Sequence, residues 1–183
     1  MNYATIKTCD IANGPGVRTS LFVSGCTHHC KNCFNQEAWD FDYGEPFTEE
    51  TIQLILNECS PSYIAGLTLL GGEPMEPANQ QGILPLLTAF RERFPEKSIW
   101  CYSGYTYEQL TTPGTRCYQP GVTEQLLSMI DVLVDGPFIQ AQHDISLRFR
   151  GSSNQRLIDL RKTEAAGEIV WWEDAPVYSS RKM

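Results

Sequence analysis

A chain of 183 residues, 42% hydrophobic and 20% charged, can bury a substantial core and fits one domain better than two. Its formal net charge of -8 leaves no cationic footprint for gripping phosphates, so no nucleic acid partner is expected. No apolar run approaches the roughly 20 residues that span a bilayer, and the start "MNYATIKTCD" lacks the basic and apolar regions of a signal peptide, so no membrane is expected and the compartment read is the cytoplasm.

The first element in chain order is a strand over "VRTSLFVSG", where Leu21 and Val23 alternate with Phe22 and Gly25 ends the run. A loop bearing Cys26, Cys30 and Cys33 follows directly. "FTEETIQLILNECS" reads as an amphipathic helix, with Thr48 as N-cap, Glu49 and Glu50 in the first turn, and Ile52, Ile55, Leu56 and Cys59 on one face. In "GLTLLGGEP" the apolar run from Leu67 to Leu70 predicts a second strand, covered on both faces and closed by Gly71 and Gly72. "QQGILPLLTAFRERF" reads as helix, with Pro85 marking a kink or a late start, and "SIWCYSG" as a third strand ending at Gly104. "TEQLLSMI" predicts a short helix and "DVLVDGP" a fourth strand, stopped by Gly136 and Pro137.

This β, α, β, α order implies parallel strands, whose ligands bind beyond the carboxyl ends where the glycine-rich stretches fall. A complete eight-stranded barrel takes about 250 residues. The expected fold is therefore α/β, an open partial (β/α) barrel or a smaller twisted sheet. After Asp135, "FRGSSNQRLIDL" predicts a loop and one last short strand. A domain over 1–160 is then followed by a tail, 161–183, with no clear period and no assigned role, in which Trp171 and Trp172 are expected to pack on something.

Seven cysteines without a secretion signal disfavour disulfides. Cys9, Cys59, Cys101 and Cys117 stand singly and read as small buried hydrophobes, whereas the trio points to a metal. A structural zinc would need a fourth ligand from His28, His29 or a distant cysteine, and such sites usually place their ligands in two separated pairs. The adjacent histidines do not easily face one centre and read as solvent-facing. A 4Fe-4S cluster normally takes four thiolates. With three, one iron keeps an open position for a substrate or cofactor, as catalytic metals do.

The Cys-x-x-x-Cys-x-x-Cys spacing, with the aromatic Phe34 just after the last cysteine, resembles the signature of radical S-adenosylmethionine enzymes. The resemblance implies a partial barrel of that type and one 4Fe-4S cluster on Cys26, Cys30 and Cys33. It also implies S-adenosyl-L-methionine on the open iron, where the reduced cluster cleaves it to a 5′-deoxyadenosyl radical. Asn32, Cys33 and Phe34 would then lie near the adenine, with Gly71, Gly72 and Glu73 of "GGEP" at the ammonium group. At the neighbouring strand ends, Ser103 in "YSGY" and Asp135 in "VDGPF" are further candidates for contact with the ligand, each with a plain turn or cap as the alternative.

"NGPGVRTSLFVSGC" resembles the start of glycyl-radical-enzyme activases, and "VDGPF" with "RGSSNQR" (Arg150 to Arg156) resembles those that serve the anaerobic ribonucleoside-triphosphate reductase. What this implies is an oxidoreductase that takes a hydrogen atom from a glycine of that reductase, its protein substrate, using an electron from a donor such as flavodoxin or ferredoxin. Pyruvate formate-lyase or another glycyl-radical enzyme stays open as the target. A zinc-stabilised, non-catalytic binding module stays open as the reading from another class.

Overall fold

The computed structural model describes residues 1–174. Seven strands form one sheet: β1 (Asn2–Asp10), β2 (Val17–Val23), β3 (Glu45–Pro46), β4 (Ile64–Gly71), β5 (Ser98–Tyr102), β6 (Val132–Asp135) and β7 (Arg156–Asp159). Their order is β3-β1-β2-β4-β5-β6-β7, so the sheet is open. The central strands β2, β4, β5 and β6 run parallel, as expected from the glycine-ended apolar runs. The expectation of parallel strands throughout is corrected at the edges, where β1 is antiparallel to both β2 and β3, and β7 is antiparallel to β6. A parallel neighbour needs a crossover of about a dozen residues or more. The link from Asp10 to Val17 is too short for one, and the link from Asp135 to Arg156 holds only a 3-10 turn at Gln140–Gln142.

The helices are α1 (Glu49–Glu58), α2 (Pro77–Arg93), α3 (Tyr107–Thr111), α4 (Val122–Met129) and α5 (Leu160–Ala166). Thr48 stands at the N-cap of α1 as expected, its N–H donating to Thr51 Oγ1 at 3.2 Å. Helix α2 begins earlier than its apolar pattern suggests, at Pro77, where a missing N–H costs no intrahelical bond, and it runs through Pro85.

Alternation along the strands divides the core between two faces. Leu67, Leu69, Ile99, Cys101 and Leu133 meet Ile55, Leu87 and Phe90 of the helices, while Trp100, Val132, Val134 and Leu157 form a smaller cluster. Cys59, Cys101 and Cys117 are buried as expected, but Cys9 is exposed on β1. Across the small cluster lies Arg18, fully buried. Its guanidinium donates to Thr68 Oγ1 (2.7 Å), Ser98 Oγ (2.9 Å), Leu67 O (2.8 Å) and Ser98 O (2.9 Å), tying β2 to β4 and β5. Burial pulls its pKa down to about 10.

Beyond β7 the chain folds back. Trp171 bridges to Ile158, and the Trp172 ring packs edge-on against Trp100 at 4.8 Å, so Trp172 has the packing partner expected of it. Residues 175–183 of the expected tail lie outside the described residues. Among the described residues no helix is long and apolar enough to cross a membrane.

Candidate active site

The carboxyl ends of β4, β5 and β6 open on a cavity of about 610 Å3. Cys26, Cys30 and Cys33 line it, together with Asn32 and Phe34 from the same loop. Gly71, Gly72 and Glu73 reach it from the end of β4, and Ser103 from the end of β5. Nine of the sequence-derived positions thus meet at one cavity; Asp135 does not.

Main-chain hydrogen bonds fix how the cysteine loop leaves β2. Gly25 N donates to Ala38 O (2.9 Å), Cys26 N to Trp39 O (3.1 Å), Gly72 N to Val23 O (2.7 Å) and Glu73 N to Gly25 O (2.9 Å). The two strands' ends therefore run into each other, and only glycine fits between them. A Cβ on Gly72 would stand 2.6 Å from Gly25 O and 2.8 Å from Ala38 O, and Gly71 holds φ +111°. Farther along, Asn32 adopts φ +61°, and Phe34 is 89% exposed at the cavity mouth.

Glu73 is buried with its carboxylate fully engaged. Oε1 accepts from Met75 N and Ser103 Oγ, both at 2.8 Å, and Oε2 accepts from Gly104 N at 2.6 Å and faces His28 Nε2 at 2.9 Å. This corrects the reading of His28 as a solvent-facing bystander. Its ring packs 4.3 Å from that of Tyr105, and a Cβ on Gly104 would stand 2.6 Å from it. Burial acts to lower the His28 pKa, but the hydrogen bond and charge of Glu73 outweigh it and leave the pKa above its ordinary value. His29 is exposed as expected, stacked 4.6 Å from Trp39.

Sequence reasoning missed Glu76, a second buried carboxylate that accepts from Thr27 N at 3.0 Å. Its signal was the repeat of an acid three residues after Glu73, both ahead of α2.

Asp135 is fully buried away from the cavity. Its Oδ1 accepts from Arg156 Nε at 2.9 Å and its Oδ2 from Tyr107 N at 2.7 Å, which is the cap alternative rather than ligand contact. Arg156 also donates to Glu108 at 2.9 and 2.7 Å. The rest of "RGSSNQR" braces the long loop before β7. Gln155 Oε1 accepts from Gly151 N (2.9 Å) and Ser152 N (3.1 Å), Arg150 Nη1 donates to Gln155 O (2.7 Å), and Asn154 Nδ2 donates to Pro137 O (2.8 Å). That loop supplies the apolar far wall, with Phe138, Leu147 and Phe149.

The donor set fits an iron-sulfur cluster. Burial pushes the Cys26 thiol up to about 12, with the N–H groups of His28 and His29 opposing and the charge of Glu73 adding to the rise. Burial likewise raises Cys30. Such thiols ionise only beside a strong positive charge, which metal supplies. Among the described residues no three His, Cys, Asp or Glu side chains converge tightly enough to hold a single metal ion. Three thiols spread around one cavity suit a cluster, where each thiolate ligates its own iron, better than a tetrahedral zinc.

The profile of the 4Fe-4S single cluster domain family matches residues 12–158. An anaerobic ribonucleoside-triphosphate reductase-activating protein of Vibrio cholerae is 43% identical over 157 residues, covering 85% of this chain and 96% of the relative. The protein of the same name from Escherichia coli K12 is 40% identical over 163 residues, covering 88% of this chain and 100% of the relative. That of phage T4 is 40% identical over 157 residues, 86% of this chain and 93% of the relative. The chain belongs to the anaerobic ribonucleoside-triphosphate reductase-activating protein family.

The profile match runs from before β2 into β7, so the cysteine loop, the β4 turn and the braced loop all lie within it. An iron-sulfur cofactor thus follows for this activating-protein homologue from the family match.

Proposed function

We propose that the protein is a radical S-adenosylmethionine activase that installs a glycyl radical on the anaerobic ribonucleoside-triphosphate reductase. The observation that carries the reading is the meeting of three cysteine thiols and the Gly71–Glu73 turn at one cavity, in a chain whose relatives are named for activating that reductase. An open sheet with a parallel centre supports a partial (β/α) barrel of the radical S-adenosylmethionine type, with residues 1–160 as its catalytic unit.

Cys26, Cys30 and Cys33 would hold the 4Fe-4S cluster, which when bound supplies the electron that cleaves S-adenosyl-L-methionine. Gly71 and Gly72 let the main chain approach the cofactor's ammonium group closely, since neither carries a Cβ. Glu73 makes four hydrogen bonds already, so it acts by fixing the rim through Ser103 and Gly104 and by its negative charge toward that ammonium. Asn32, Cys33 and Phe34 stand at the mouth, where the adenine would lie against the Phe34 ring. The apolar wall of Phe138, Leu147 and Phe149 keeps water from the place where a glycine of the reductase gives up its hydrogen atom. The electron comes from a small donor such as flavodoxin or ferredoxin, and the compartment that fits is the cytoplasm.

The test is anaerobic reconstitution with iron and sulfide, then reduction with S-adenosyl-L-methionine present. A brown protein should yield 5′-deoxyadenosine and give the reductase a glycyl doublet in electron resonance. Alanine at Cys26, Cys30 or Cys33 should abolish both. A colourless protein that retains zinc, or a doublet on pyruvate formate-lyase instead, would overturn the reading.

A further inference from the structure

Two buried carboxylates flank Pro74 and Met75, and both turn toward the cysteine loop. The second has no part in the reading above. Glu76 is 3% exposed although it can carry a charge. It stands at the N-cap of α2, where its carbonyl accepts from Asn79 N and Gln80 N, yet its side chain makes no cap bond. Oε1 accepts instead from the Thr27 peptide N–H at 3.0 Å, from Thr27 Oγ1, and from Tyr105 Oη at 3.2 Å. Arg116 stands 3.4 Å from Oε2 on the solvent side. Thr27 directly follows Cys26, so a buried acceptor committed to that peptide fixes the backbone beside the first ligand.

The other end of the loop is tied differently. From Cys30 to Phe34 the main chain makes one hydrogen bond within the described residues, Cys33 N to Cys30 O at 3.1 Å, and Asn32 Nδ2 reaches Gln140 at 3.4 Å on the surface. We propose that Glu76 is a positioning residue for the iron-sulfur cluster: it holds the Cys26 end of the loop in its ligand-ready conformation before the cluster arrives. The Cys30–Cys33 end is left for the cluster itself to order. This rests on the cluster reading of the three cysteines.

Hydrogen exchange on the cluster-free wild type tests the pre-formed end. The Thr27 amide should exchange at least about tenfold more slowly than those of Lys31 and Asn32; equal rates overturn the proposal. Wild type, Glu76→Ala and Glu76→Gln are then reconstituted and their bound iron is followed against a chelator, with melting of each cluster-free chain as the check on folding. Glu76→Ala should lose iron about tenfold faster than wild type. Glu76→Gln, which keeps the acceptor oxygen and drops the charge, should stay within about twofold of wild type. A Glu76→Ala chain that keeps its iron as wild type does, or a Glu76→Gln chain as poor as Glu76→Ala, overturns the proposal. If Glu76→Ala melts before it can be loaded, the Thr27 exchange rate decides alone. A wild type that takes up no cluster sinks the cluster reading itself, which is a different result from a loaded wild type that Glu76→Ala matches.

Discussion

Glu73 and His28 meet at 2.9 Å, joining the end of β4 to the middle of the cysteine loop in the wall of the cavity. Ser103 and Gly104 complete the contact from the end of β5. Three chain segments are therefore registered against one another by a single carboxylate.

Replacing His28 by Ala removes one of four partners from a buried carboxylate, at a cost of about 1–3 kcal/mol. Gly104→Ala should act on the same contact from the other side, because its Cβ would stand 2.6 Å from the His28 ring. Urea unfolding of the two single variants and the double variant checks this. The double should cost clearly less than the sum of the singles, as expected for residues acting through one interaction. Strict additivity would show that the contact is not shared.

Arg156 pairs with the fully buried Asp135, so Arg156→Met should destabilise the fold by about 3–5 kcal/mol, the range for leaving a buried charge unpaired. Thermal unfolding at neutral pH measures it, and a loss of only a few tenths would rule the pair out as a structural tie.

The outer half of the same cluster gives a pH dependence. The hydrogen bonds from Arg156 hold the Glu108 carboxyl down to about 2, below its ordinary value of 4.5. A depressed carboxyl stabilises the fold above its unfolded pKa, and the contribution is lost as pH falls through the folded one. Stability from this pair should thus be present above about pH 4.5 and fade toward pH 2. Glu108 is more than half exposed, so the effect is about 0–1 kcal/mol. Melting curves of wild type and Glu108→Gln across that window should converge at the acid end; a constant gap would refute the assignment.

Gly72→Ala must push apart the backbone of the cysteine loop, since its Cβ would meet Gly25 O and Ala38 O below 3 Å. Overpacking of this kind costs about 1–3 kcal/mol. Chemical unfolding measures the loss, and calorimetric titration of the reconstituted protein should show weaker S-adenosyl-L-methionine binding.

Trp172→Ala removes one ring from the cluster it forms with Trp100 at 4.8 Å and Phe149 at 6.0 Å. Phe149 lines the cavity with φ +59°, so its wall depends on that packing. Limited proteolysis between 138 and 150 should become faster in the variant while the iron content of the reconstituted protein stays at the wild-type level. Unchanged cleavage would disconnect Trp172 from the wall.

The central sheet was legible because its strands are apolar runs ended by glycine, a pattern that a strand covered on both faces leaves in any sequence. The cysteine loop was legible because the spacing of Cys26, Cys30 and Cys33 is local. Strand β1 was not, since its exposed and half-buried residues mix without alternation beside the two-residue edge strand β3. Helix α5 buries only Leu160 and Thr163, too little to print a period. His28 was misjudged, and Asp135 was left between ligand contact and a cap, for another reason. Their partners Glu73 and Arg156 lie 45 and 21 residues away in sequence, so a role fixed by pairing was invisible in the local pattern. Glu76 escaped in the same way, its partner Thr27 lying 49 residues back.

Arg18 carries its charge among carbonyl and hydroxyl oxygens, and among the described residues it forms no ion pair. An arginine neutralised by a carboxylate is electrically quiet beyond its partner, whereas this one is not. Its charge is solvated by Thr68 Oγ1, Leu67 O, Ser98 Oγ and Ser98 O, so a slip of β4 or β5 against β2 would leave it buried without acceptors. The protein thus uses the cost of an unsolvated interior charge to hold the register of its three central strands.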